Sequence, residues 1–151
     1  MKRTTVDTNV FISALFWKGI PDRVIDIFKR QEALLVLSED ILAELERKLN
    51  SSKFVARISA IGVSPAQLVE TFRAMAEIAS PADVPEDAVR DPEDRMILAC
   101  AVGGKADLIV SGDKDLVVLK AYQGISIVTP SAFLNLMRPP TDTSADEPAT
   151  E

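Results

Sequence analysis

Apolar positions along the chain fall into short continuous runs separated by stretches of helical period. Thr4-Thr5-Val6 is a β-prone run that ends in Asp7-Thr8-Asn9. Val10, Phe11, Ile12, Ala14 and Leu15 then suit the opening of a buried helix, which Gly19-Ile20-Pro21 breaks. Asp22 to Arg30 resumes helical spacing through Val24, Ile25, Ile27 and Phe28. Ala33 to Leu37 is unbroken apolar sequence of the length expected for a strand buried on both faces. Ser38 reads as a helix N-cap, with Glu39 and Asp40 in the first turn where the helix dipole favours anions, and this helix runs through Leu49. Ser51 to Ile61 and Ser64 to Ala79 read as two further helices, the second opened by Ser64-Pro65. Asp91-Pro92-Glu93-Asp94 opens another in the same way, carries the apolar run Met96 to Val102, and stops at Gly103-Gly104. Leu108-Ile109-Val110 is a second buried strand ending at Ser111-Gly112-Asp113-Lys114-Asp115. A short helical stretch from Leu116 to about Tyr122, a strand at Ser126-Ile127-Val128 and a closing helix capped by Thr129-Pro130 complete the pattern.

Strands separated by helices imply a parallel sheet, and the expected fold is a three-layer α/β/α domain over residues 1–138 with about four to five short strands. Residues 139–151 have three prolines and no apolar periodicity, and read as an acidic, disordered tail. The chain has 151 residues and a formal net charge of −6. Asp142, Asp146, Glu147 and Glu151 lie in the tail without a basic neighbour, so the body holds 17 basic against 19 acidic side chains.

Composition removes several classes of chemistry. There is no histidine and only one cysteine, Cys100, which excludes a Ser-His or Cys-His nucleophile and an intramolecular disulfide, and argues against a dedicated zinc site. Cys100 sits in an apolar run and reads as core. No apolar run reaches the roughly 18 residues of a membrane span, and Asp7 follows Met1-Lys2-Arg3 too closely for a secretory core. A cytoplasmic protein without membrane contact is expected.

The reactive side chains are therefore carboxylates. In open α/β sheets ligands bind beyond the carboxyl ends of the strands. Asp7 follows the first strand there, and Asp113 and Asp115 follow the Leu108 strand. Asp94 lies in the first turn of the preceding helix, and Glu44 in the helix after the second strand. Carboxylates gathered in one cleft repel, and a hard divalent cation such as Mg²⁺ or Mn²⁺ relieves that repulsion. Such an ion lowers the pKa of bound water and stabilises charge in a phosphoryl displacement. Each acid also has a structural reading. Asp7 and Asp91 suit N-caps, Asp94 suits the positive end of a helix dipole, and Asp113 and Asp115 suit a solvated turn. Helical periodicity does not choose between Glu44 and Glu46, and Trp17 suits a helix end or a stacked base equally.

Val6-Asp7-Thr8-Asn9-Val10 resembles the opening motif of the PIN-domain family. Leu37 to Leu45 resembles its second acidic segment, Asp91 to Asp94 with Ile97 and Ala99 the third, and Ile109 to Leu116 the fourth. The similarity extends from Val6 to about Phe133, and its closest branch is the bacterial toxin components of type II toxin–antitoxin pairs, VapC-like in the broad sense. The resemblance implies a Mg²⁺- or Mn²⁺-dependent endoribonuclease acting on single-stranded or looped RNA. It assigns Asp7, Glu44, Asp94 and Asp113 as metal ligands and Asp115 as a further ligand or supporting acid. Thr8, Asn9 and Ser111 would orient carboxylates or water. An antitoxin partner and a homodimer are implied in the same way.

RNA demands positive charge. No acid occurs between Arg47 and Val69, while Arg47, Lys48, Lys53 and Arg57 follow Glu44 closely. These four are candidate backbone contacts, with Arg95 and Lys114 nearer the acids; a solvated helix face is the competing reading. Two divalent ions would leave the body mildly positive. The rival functions are a catalytically inert PIN-fold module binding RNA or protein, and a phosphatase or phosphotransferase for small molecules. The latter finds no P-loop or Gly-rich phosphate cradle here.

Overall fold

The computed structural model describes residues 1–138; the acidic stretch at 139–151, expected to be disordered, lies outside the described residues. In chain order the elements are β1 (Arg3–Val6), α1 (Thr8–Phe16), α2 (Ile20–Lys29), β2 (Leu34–Leu37), α3 (Glu39–Leu49), α4 (Ser52–Ala60) and α5 (Pro65–Met75). There follow β3 (Ala76–Ile78), α6 (Pro92–Gly103), β4 (Leu108–Val110), α7 (Lys114–Val117), β5 (Ala121–Tyr122), β6 (Ile125–Val128) and α8 (Pro130–Met137). Helices cover a mostly parallel six-stranded sheet of order β3-β2-β1-β4-β6-β5, a three-layer α/β/α arrangement.

Burial explains the sheet's composition. β4 is buried throughout, and Leu35, Val36 and Leu37 of β2 are nearly inaccessible, as parallel strands covered on both faces require. The helices start where their caps dictate. Ser38 Oγ accepts the Ile41 N–H at 3.2 Å and opens α3, which buries Ile41, Leu42, Leu45 and Leu49. Ser64 and Gln67 form a reciprocal capping box on α5, and Asp91 caps α6 ahead of Pro92.

The parallel sheet of four to five strands expected from the sequence needs two corrections. Its third strand, Ala76–Ile78, lies inside the stretch that reads as one helix from Ser64 to Ala79. Helix propensity there loses to pairing, because the outer side of β2 has backbone groups to satisfy and β3 aligns Leu35 with Ala76 and Leu37 with Ile78. The other is β5, inside the stretch expected to stay helical to Tyr122. It pairs antiparallel with β6 through Gln123 and Gly124, whose φ angles of 49° and 83° make a two-residue hairpin turn of the type that matches strand twist. The sheet is consequently mixed.

The end of α6 runs close to the loop after β3. A Cβ on Gly103 would overlap the Ser80 carbonyl oxygen and lie 2.8 Å from the Ala82 nitrogen, so only glycine fits this approach. The contact holds α6 against β1, β2 and β4. The topology then sets the site. From β1 the chain crosses to β2 on one side, whereas β4 and β6 lie on the other. The crevice beyond β1 and β4 is the point where strand order reverses, the usual location of a ligand in this class of sheet.

Candidate metal centre

Asp7 and Ser111 emerge at this crevice because β1 and β4 are in register, with Val6 opposite Val110. Asp7 serves as the N-cap of α1, and its Oδ1 accepts the Asn9 N–H at 3.2 Å. Its Oδ2 accepts the Ser111 hydroxyl at 2.7 Å, and Ser111 Oγ in turn accepts the Asp113 N–H at 2.9 Å. Ser111 is fully buried and connects the Asp7 carboxylate to the Asp113 backbone through one oxygen. Asp113 caps α7 by accepting the Asp115 N–H at 2.8 Å. Capping thus aims both aspartates rather than competing with a role in the site.

Asp94 comes from the first turn of α6 and is 3% exposed. One oxygen each from Asp7, Asp94 and Asp113 lie within 4.8 Å of one another. Asp94 Oδ2 is buried without a hydrogen-bond partner among the described residues. Burial first, and then the carboxylate of Asp113 and the charges of Asp91 and Asp7, push the Asp94 carboxyl up to about 7. A desolvated oxygen beside two other carboxylates is the environment a hard cation stabilises. An oxygen-only donor set fits Mg²⁺ or Mn²⁺ better than a softer metal.

Glu44 stands outside this triad. Its Oε1 accepts Arg47 Nε at 3.0 Å, and the Arg47 hydrogen bonds hold its carboxyl down to about 2. The neighbouring carboxyl of Glu93, the residue before Asp94, also lowers it, which links Glu44 to the rim of the centre. Burial first, and then the neighbouring Glu44 carboxyl, raise Glu93. Asp115 also lies outside the triad; its carboxylate faces Arg90 at 3.5 Å.

The cations divide into two groups. Lys48 points inward, and its Nζ donates to Thr8 Oγ1 at 2.8 Å, Asn9 Oδ1 at 3.1 Å and Glu93 Oε1 at 2.8 Å. Arg95 Nη1 donates to the carbonyls of Glu86, Val89 and Arg90, bracing the loop before α6. Lys48 and Arg95 are thereby engaged within the fold. Lys53, Arg57 and Lys114 face solvent, as does Arg47 beside Glu44. The Arg57 guanidinium lies 4.3 Å from the Phe16 ring centroid and 5.4 Å from that of Trp17. The part of Glu93 was missed in the sequence, although Glu44 and Lys48, four residues apart on α3, share the face that meets it. Cys100 is wholly buried and its thiol is raised by burial, as a core residue's should be.

A family model described as PIN domain matches residues 3–115, a span that contains every acid of the triad. The chain belongs to the PIN-domain family. Among solved structures, this PIN domain is similar in fold to the crystal structure of VapBC2 from Rickettsia felis bound to a DNA fragment from their promoter. The likeness has a TM-score of 0.56 at 14% identity and covers 84% of this chain and 98% of the other. The comparison with curated proteins returned no match. No helix among the described residues of the PIN domain is long and apolar enough to cross a membrane.

Proposed function

We propose that this PIN domain is a Mg²⁺- or Mn²⁺-dependent endoribonuclease that cleaves single-stranded or looped RNA. The observation that carries the reading is Asp94, whose buried and unpartnered Oδ2 accompanies oxygens of Asp7 and Asp113 within 4.8 Å. These three aspartates would hold the ion, with Glu44 and Asp115 beyond them. When bound, it supplies Lewis acidity for water activation and charge stabilisation at phosphorus. The chain's own part is preorganisation. Ser111 fixes Asp7 and Asp113 relative to each other, and Lys48 anchors Thr8 and Asn9 beside Asp7. Lys53, Arg57 and Lys114 are exposed cations suited to phosphate contact.

The Rickettsia felis structure is of a VapBC2 bound to promoter DNA. Together with the motif resemblance, it supports a toxin restrained by a cognate antitoxin; a cytoplasmic homodimer belongs to the same proposal. The test uses an RNA panel and a small phosphomonoester, offered to wild type and Asp7→Asn with Mg²⁺, Mn²⁺ or EDTA. Metal-dependent cleavage of RNA by wild type, reduced at least 100-fold by Asp7→Asn, is expected. Turnover of the phosphomonoester alone would move the protein to phosphatase chemistry, and RNA binding without cleavage would leave a noncatalytic module.

A further inference from the structure

A cavity of about 360 Å³ opens directly beside the triad and shares Asp113 with it. One face of α1 contributes Asn9, Val10 and Ser13 to its lining, and Gly112 continues it from the loop after β4. Pro21 at the start of α2 and Pro130 at the start of α8 complete the lining. The volume falls at the small end of the roughly 300–1,000 Å³ typical of ligand pockets, and suits one heterocyclic base rather than a folded strand. Val10 and the two prolines supply apolar surface for the flat faces of a ring. Asn9 and Ser13 supply edge contacts. The Asn9 carbonyl oxygen already accepts from Lys48, so its amide nitrogen is the end left to donate to a ring nitrogen or carbonyl.

We infer that this cavity is a nucleobase pocket that receives the base next to the scissile phosphate, splayed out of the RNA strand. The inference rests on the ribonuclease reading and names how the same site selects its substrate. Single-stranded RNA is commonly read in this way, by unstacked bases held on their faces and edges. The shared Asp113 places the base one step from the metal ligands, so base capture would set the phosphate in register with them. Gly112 is a position at which the lining can be enlarged. A Cβ there meets nothing within 4 Å, and its φ is outside the left-handed range, so a larger side chain is accommodated at the pocket's lining.

The test uses a short RNA that wild type cuts, or the best-bound RNA if none is cut. A second version carries an abasic ribose at each position flanking the cleavage or binding site in turn. Binding is measured by fluorescence anisotropy in Ca²⁺ and cleavage in Mg²⁺, for wild type, Gly112→Leu and Ser13→Leu, with folding checked by circular dichroism. One abasic position should weaken wild-type binding at least tenfold. The two variants should lose a similar factor on intact RNA and little more on that abasic RNA, where the pocket has no base to lose. Equal binding of intact and abasic RNA by wild type would overturn the pocket, as would equal losses by the variants on both. Metal-dependent cleavage with no base effect removes the pocket and leaves the ribonuclease. Base-dependent binding without cleavage does the reverse, and failure to bind any RNA removes both.

Discussion

Asp94 and Ser111 show how much of the centre depends on single atoms. Ser111 donates to the Asp7 carboxylate and accepts the Asp113 backbone N–H through one buried oxygen, so the Asp7 side chain is tied to the loop that carries Asp113. Asp94 has no such support for its Oδ2. Its carboxyl, pushed up to about 7, titrates far above the 3.8 of an unfolded aspartate. Between those values the metal-free folded state binds more protons than the unfolded chain, so its contribution is present below pH 4 and lost as pH rises through 7. In EDTA, chemical denaturation of wild type should therefore show stability falling from pH 5 to 7 by on the order of 1–3 kcal/mol. Asp94→Asn should flatten that fall, and an unchanged slope in the variant would assign the effect to other groups. Asp7 and Asp113 were legible as candidates because they flank strand ends, where parallel sheets bind ligands, whereas Asp94 lies on a helix whose approach to that edge is tertiary information. The inward turn of Lys48 was not legible, because a lysine on a helix flank looks the same whether it faces solvent or a neighbouring helix.

At the scale of elements, Lys48 ties α3 to α1 through Thr8 and Asn9, and to α6 through Glu93. Lys48→Met removes the cation from a partly buried Glu93 and should lower stability by about 1–2 kcal/mol in urea denaturation. Loss of exposed Arg47 should matter less; the opposite ranking would show that the Lys48 contacts do not hold the helices. The close approach of α6 to the loop after β3 gives a sharper test. Gly103→Ala forces a methyl group into backbone atoms of Ser80 to Ala82 and should cost about 3 kcal/mol, whereas Gly112→Ala meets open space and should be nearly neutral in the same melts. The two strands invisible to periodicity, β3 and β5, are three and two residues long. Ala76-Glu77-Ile78 and Ala121-Tyr122 are too short for an alternating pattern to separate strand from helix. They become strands only because β2 and β6 offer unpaired backbone, which is tertiary information. The longer elements carry caps and periods that need no such context. Ser38, Ser64, Asp91 and Thr129 each accept an N–H from the first turn of the helix they open.

For the whole molecule, the reversal of strand order at β1 and β4 is what gathers residues 7, 94, 111 and 113 into one crevice. Positive charge taken up in that crevice would add to the exposed Lys53, Arg57 and Lys114 in attracting a polyanion, so RNA binding is expected to strengthen with metal. The two also share a wall, since Asp113 lines both the metal centre and the neighbouring cavity. The claim beneath everything else is that the three aspartates form one divalent-cation site. Mn²⁺ uptake at pH 8, followed by loss of the free-ion electron paramagnetic resonance signal, tests it without requiring the right RNA. Wild type should bind Mn²⁺ saturably and Asp94→Asn at least tenfold more weakly, with its circular dichroism unchanged. Equal uptake by the two proteins, or none by folded wild type, would contradict the account.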